Sequence, residues 1–323
     1  MNNLKYFICL SALSLCLVSS AFACYPCSLF NVSKLQGVES SKFSFSINDS
    51  YSSYDKAQDL DYKENRDGEF VRDYNLAQLG LSYGLSDAVS LDFYLPVINR
   101  NSDQVEGLRV SSEKDSGVGD MILGSSLDIY SPSGDNWFFK STGILGIKLP
   151  TGDSGTLGSS INESSTQTRH HPASGSSASG RNLVFGTGSV DFIMGLGTFA
   201  TYEKFLFLGT LQYTAKTEGD YDYKFADDFL WSAGSGYYLS IEDKHTLALA
   251  AILSGEQKSK DSIGSELVQG SQFSNLFLGP SLLITLQNRL GAELGFDFRV
   301  TGEDVDSVVV PEWRLKAQLS YNF

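Results

Sequence analysis

Beyond Val18 the chain has no apolar run approaching the ~18 residues that a membrane-spanning helix requires, which leaves no candidate for a helical span in the remainder. Histidine is scarce, with three in 323 residues: His170 beside His171, and His245 alone. A hydrolase needs a histidine held next to a nucleophile or an acid. Only His245 lies near a strand, in the tight turn after Glu242-Asp243-Lys244, so no enzyme activity is expected. The paired histidines have no cysteine or carboxylate neighbours at ligand spacing, so neither a metal site nor a cofactor is expected. Basic residues are in deficit. Once Lys5 is removed with the leader, 23 Lys and Arg face 38 Asp and Glu, a formal charge of −15. That balance argues against nucleic acid as a partner. Much of the acid sits in short stretches such as Glu218, Asp220, Asp222, Asp227 and Asp228, or Glu303, Asp304 and Asp306. These read as solvated surface, with divalent-cation binding beside lipopolysaccharide, or repulsion of anionic solutes, as the functional alternative.

Cysteine is equally sparse. Of the four, Cys9 and Cys16 fall in a leader in which Lys5 precedes an apolar run from Tyr6 to Val18 and Ala21-Phe22-Ala23 has the small-x-small form of a signal-peptidase site. Residues 1–23 are therefore expected to be a cleaved signal peptide, and the mature chain to start at Cys24. Cys24 and Cys27 then form a two-residue-spaced pair at the new amino terminus, expected to close a small disulfide in an oxidising periplasm. Ser28 occupies the place where a c-type haem would need histidine. Acylation of Cys24, and a metal or redox role for the pair, are the alternatives.

What the chain does contain is alternation. From Trp313 to Phe323 every odd position is apolar and every even one polar, ending on Tyr321 and Phe323. Successive side chains of a strand point to opposite faces. Arg314 and Lys316 on one face, against Trp313, Leu315, Leu319 and Tyr321 on the other, suit a surface between hydrocarbon and water. The aromatic ending is the expected signal to the barrel-assembly machinery. Leu290 to Val300 repeats the pattern, with Glu293, Asp297 and Arg299 between apolar residues. About twelve segments of this kind follow one another from residue 42 to 323, each near the ~9–11 residues that cross a membrane at a tilt. Phe205 to Leu208 is apolar on both faces and its register is ambiguous.

The connections alternate too: short at 85–88, 131–136, 203–204, 241–244 and 287–289, long at 53–71, 99–117, 150–187, 217–228, 256–273 and 301–311. Outer-membrane barrels have short turns on one side and long loops on the other. The expected fold is an all-β transmembrane antiparallel up-and-down barrel of about twelve strands, in the outer membrane of a Gram-negative cell. Residues 24–41 would form a periplasmic segment able to plug the lumen. The longest loop, 150–187, is a Ser-, Gly- and Thr-rich stretch with little apolar surface, expected to be mobile and extracellular.

Three short motifs stand out. Gly117-Val118-Gly119-Asp120 and Gly186-Thr187-Gly188-Ser189, with Asp191 two residues on, resemble phosphate loops only superficially, because strand rather than helix residues follow. The expectation is structural: glycine bends the backbone at the rim and the carboxylate caps a water-facing edge. With Gly146-Ile147-Lys148-Leu149-Pro150-Thr151-Gly152-Asp153, these motifs make the chain, from about Tyr74 onward, similar to the family of outer-membrane transporters named for the phenol meta-cleavage degradation pathway. The resemblance implies transport of small hydrophobic or aromatic compounds. By parity, Lys140, Lys148, Asp191, Glu293, Asp297, Arg299, Arg314 and Lys316 would line the lumen and pair across it. A channel or transporter for a small-molecule solute is the leading expectation, with outer-membrane lipid and lipopolysaccharide as surroundings. A non-conducting structural or surface-interaction barrel is the alternative.

Overall fold

The computed structural model describes residues 43–54, 68–106, 109–155, 157–158, 161, 184–302 and 311–323. The expected signal peptide, the 24–41 segment, the Cys24/Cys27 pair and His170/His171 lie outside them. The described residues form a closed antiparallel barrel of twelve strands. In chain order these are β1 (Phe43–Ser53), β2 (Gly68–Gly84), β3 (Val89–Glu106), β4 (Arg109–Val118 and Ile122–Tyr130) and β5 (Trp137–Lys148). There follow β6 (Asp191–Tyr202), β7 (Phe205–Ala215), β8 (Asp228–Glu242), β9 (His245–Lys258), β10 (Phe273–Leu286), β11 (Leu290–Gly302) and β12 (Trp313–Asn322). Each strand pairs with its sequence neighbours, and β12 pairs with β1 from Ser44↔Asn322 to Ser53↔Trp313, closing the ring. Closure leaves no unpaired edge, the condition a sheet must meet in hydrocarbon.

The two faces differ as alternation requires. On β12, Arg314 and Ser320 are buried while Leu315, Leu319 and Tyr321 are exposed. Leu145, Phe192, Leu249, Leu294 and Phe298 are similarly exposed on other strands. So many large apolar side chains on one continuous outer surface mark a surface that meets something other than water. Aromatic pairs rim this belt: Phe43–Phe323 and Phe205–Tyr237 at the end with short turns, Tyr51–Trp313 and stacked Phe296–Trp313 toward the long loops. The tight turn Gln287–Asn288 has both residues at φ 54°, the left-handed geometry that suits a hairpin between twisted strands.

The ambiguous register resolves with Phe205 and Phe207 outside, about half exposed, and Leu206 and Leu208 buried inside. Inside they meet Phe199, Tyr238, Ala248, Ala250, Ile252 and Leu283. A second inner cluster joins Tyr94, Ile122, Ile144 and Ile193. The interior face is therefore apolar in the short-turn half of β6 to β10, whereas on β3 to β5 that half holds the polar pairs Asp92–Ser126 and Lys140–Asp128.

Two connections depart from expectation. Residues 99–117 are largely a hairpin, not a loop: β3 and β4 stay paired from Val97↔Val118 to Glu106↔Arg109. Their polar side chains pair across the ladder, Arg100 Nη2 with Asp115 Oδ2 at 2.8 Å and Ser112 Oγ donating to Asp103 at 2.8 Å, which replaces an apolar face. The described ends of 150–187 are docked rather than free. Leu157 and Phe185 are buried: Leu157 meets Tyr223 and Phe225 of a neighbouring loop, and Phe185 meets Tyr54, Tyr74, Leu76 and Ile98 of the wall.

Introducing a charge into the outer belt tests its assignment. Leu294→Arg is expected to destabilise the folded barrel in lipid by about 2–4 kcal/mol if the site lies near the bilayer midplane, measured by reversible denaturant unfolding in vesicles.

Candidate functional site

Two buried ion networks occupy the loop-side half of the interior. In the first, Arg314 on β12 meets Glu256 on β9 and, at 3.3 Å, Asp297 on β11. Asp297 also takes Lys316 Nζ at 2.8 Å. The Arg314 guanidinium lies 3.6 Å from the ring centroid of Phe277 on β10, so one side chain ties together four consecutive strands. Glu293 accepts from Ser281 Oγ at 2.6 Å, and Arg299 stands half-buried further along β11.

In the second network, Lys148 at the end of β5 lies 2.9 Å from Asp120 Oδ2 and 2.8 Å from Asp191 Oδ2, and also donates to Thr187 Oγ1. Asp120 is buried, not water-facing. It accepts from the backbone N–H groups of Gly152 at 2.9 Å and Thr187 at 3.0 Å, which turns an expected edge cap into the anchor of the long loop. The three glycine motifs thus converge at one point. A Cβ on Gly186 would sit 2.3 Å from the backbone of Gly152, and one on Gly152 2.9 Å from that of Gly119. Only glycine permits three backbones so close together.

Above this knot three loops form a cap. Ser154 Oγ donates to Asp220 at 2.5 Å, and the Gly264 N–H donates to the Asp222 carbonyl at 2.9 Å. Tyr223, Phe225 and Leu157 form its small core with Val184, Ile263 and Val268. Two further buried pairs pin it to the wall: Lys216–Asp228 and Lys258–Asp261, both at 2.6 Å. Asp261 also accepts from the Tyr223 hydroxyl at 2.7 Å and the Ala226 N–H at 2.8 Å. Phe185 packs on Tyr54, Tyr74, Leu76 and Ile98 of the wall. Beneath the cap lies a cavity of about 90 Å³, bounded by β2 to β5, the ends of β7, β9 and β10, and the loop residues Val184 to Thr187 and Phe225.

Of the residues singled out by parity, Lys148 and Asp191 therefore meet in one network, and Asp297, Arg314 and Lys316 in the other. Lys140 stands apart, 2.8 Å from Asp128. Tyr321 and Phe323 are outside, their rings 5.0 Å apart at the chain end. Glu256, Lys216, Lys258, Asp261 and Phe185 escaped the sequence reading, and Asp228, expected on a solvated surface, is instead buried against Lys216. The alternation Ser254, Glu256, Lys258 continued β9 into what had the composition of a loop, and that signal was available. Among the described residues no group of three or more metal-ligating side chains occurs.

Removing one partner from a buried ion cluster leaves uncompensated charge. Asp297→Ala is expected to cost about 3–5 kcal/mol, read by denaturant unfolding in lipid. Lys148→Met is expected to raise hydrogen exchange at 184–190 and 219–226 while β1 and β12 keep their protection.

No family model matches the chain, and no curated protein matches it. Solved structures do. An outer-membrane channel from Pseudomonas putida F1 superposes with a TM-score of 0.57 at 12% identity, covering 88% of this chain and 96% of that one. The NanC porin covers 86% and 100% at 9% identity, with a TM-score of 0.42. The β domain of the Bordetella autotransporter BrkA covers 88% and 100% at 9% identity, with a TM-score of 0.45. At these identities what is shared with the first is the fold, a closed barrel of the outer-membrane type.

Proposed function

We propose that this protein is an outer-membrane channel that passes small hydrophobic or aromatic solutes. The observation that carries the reading is the combination of a continuous apolar belt outside the ring with a largely apolar cavity inside it, beneath a cap made of loops. A barrel that served only as an anchor would need the belt but not the cavity. The fold shared with the Pseudomonas channel supports the same reading. So does the leader ending at Ala23, which would deliver the chain to the periplasm, where Cys24 and Cys27 would oxidise and the assembly machinery would read Tyr321 and Phe323. In this reading the protein performs no chemistry, and lipopolysaccharide and phospholipid surround the belt.

Five of the eight residues expected in the lumen act here as a closure. Lys148, Asp191, Asp297, Arg314 and Lys316 are engaged with opposite charges, so the resting state presents no charged conduit. The same pairing favours a second reading, a non-conducting surface barrel. Planar-bilayer recording of the refolded mature protein separates the two. Little or no steady conductance is expected from the unaltered chain, and frequent openings from Lys148→Met, whose cap loses its anchor. Silence of both, from folded protein whose vesicles take up toluene no faster than empty ones, would sink the channel reading and leave the surface barrel.

A further inference from the structure

One inward charge stays outside the closure. The carboxylates of Asp191, Asp228, Glu256 and Asp297 are each paired with a Lys or Arg. Glu293, inward on β11, is not: among the described residues its one bond is at Oε1, which accepts from Ser281 Oγ at 2.6 Å, a length typical of a bond to an ionised carboxylate. Its Oε2 takes no partner and is not shut off from the lumen. The stem of Lys316 on the next strand crosses close to Gly295, but its ammonium goes to Asp297 at 2.8 Å. Arg314 and Lys316 against Glu256 and Asp297 make that network two against two, so Glu293 is a surplus negative charge.

Its position is at the border of two inner surfaces. Across the ladder on one side Glu293 faces Leu283 of β10, and beyond that Ala248 of β9, both members of the apolar cluster. On the other side it faces Gln318 of β12, and beyond that Asn48 of β1. The nearest residues of β11 on the same face are Gly291 and Gly295, so no side chain of its own strand covers the carboxylate. Glu293, Lys316 and Gln318 are half-buried although they point inward, so what they expose opens on the lumen. Ala248 and Leu206 on the apolar wall expose nothing. An ionisable group in a membrane-spanning strand is costly, and where no ion pair accounts for it, it marks a solute path.

We infer that Glu293 is the recognition point for small organic cations, an amidinium or ammonium group on a single apolar ring, with the charged N–H donors on the carboxylate and the ring toward the wall that begins at Leu283. This deepens the channel reading by giving the solute a charge, and it rests on that reading for passage alone. An anion of the same shape is repelled by the surplus carboxylate, and a neutral amide offers it only a weaker, uncharged donor.

The test uses the full mature protein in lipid nanodiscs with three probes of one shape, benzamidine, benzamide and benzoate, which are cationic, neutral and anionic at neutral pH, and with acetamidine, a cation without the ring. Binding is followed by saturation-transfer NMR. Benzamidine is expected to bind saturably and about tenfold more tightly than benzamide or acetamidine, a difference of about 1.4 kcal/mol, and benzoate not to saturate. Glu293→Gln, which keeps the size of the side chain, is expected to weaken benzamidine about tenfold and to leave benzamide unchanged. Glu242→Gln, which removes an exposed carboxylate from a short turn, is expected to change neither, and retention of heat-modifiable gel mobility shows that each variant is folded. Benzoate, benzamide or acetamidine binding as tightly as benzamidine would overturn the site. So would benzamidine binding that ignores Glu293→Gln or falls equally with Glu242→Gln, or no saturable binding at all. Uptake of benzamidine and of toluene into proteoliposomes is measured in parallel. Benzamidine binding without uptake of either probe removes the channel reading and keeps the site, and toluene uptake without benzamidine binding does the reverse.

Discussion

Every backbone N–H and C=O of a sheet that lies in hydrocarbon must find its partner within the protein, and here the seam between β1 and β12 meets that demand. Ten residue pairs from Ser44↔Asn322 to Ser53↔Trp313 turn an open sheet with two edges into a ring with none. The rest of the molecule follows from closure. Once the ring exists, period-two alternation assigns every strand residue to lipid or to the interior. The outer face is then constrained to be apolar, whereas the inner face is free to vary.

That freedom is used unevenly. Toward the short turns the interior holds Leu206, Leu208, Phe199, Ile252 and Leu283, side chains that pack without directional demands. Toward the loops it holds charge. Ions removed from water are costly unless each meets an opposite charge in good geometry. The two networks meet this requirement by joining residues far apart in sequence: Glu256 to Arg314 across two intervening strands, and Asp120 to Lys148, Thr187 and Asp191. Such pairs favour one register and one loop path, because a slip of one residue would turn every charge toward the lipid.

The cap shows how little apolar surface suffices when it is well placed. The long loop is mostly serine, glycine and threonine, yet Leu157 and Phe185 at its ends reach Tyr223, Phe225, Tyr74 and Ile98. Ion pairs then hold these contacts in place over the mouth. A cap held in this way rests on contacts separate from those of the ring, since the strands below it keep their own ladders. The cap and the barrel wall are thereby held by different sets of contacts.

The strands were legible in the sequence because alternation is a local property. Trp313 to Phe323 and Leu290 to Val300 could be assigned to faces from their residues alone, and long and short connections fixed the up-and-down order. The partner of each inward charge was not legible. Parity placed Lys148 and Asp191 inside, and equally Asp297 and Arg314, but pairing depends on which strands lie beside each other and at what height. The docking of Phe185, the burial of Asp120 and the cavity beneath the cap depend on loops that meet only after the ring has closed. Sequence by itself therefore determined the strands, their faces and their order, through the two-residue repeat that hydrocarbon and water impose. Tertiary structure alone decided the ion pairs, the cap and the cavity, because contacts between distant residues have no period to be read.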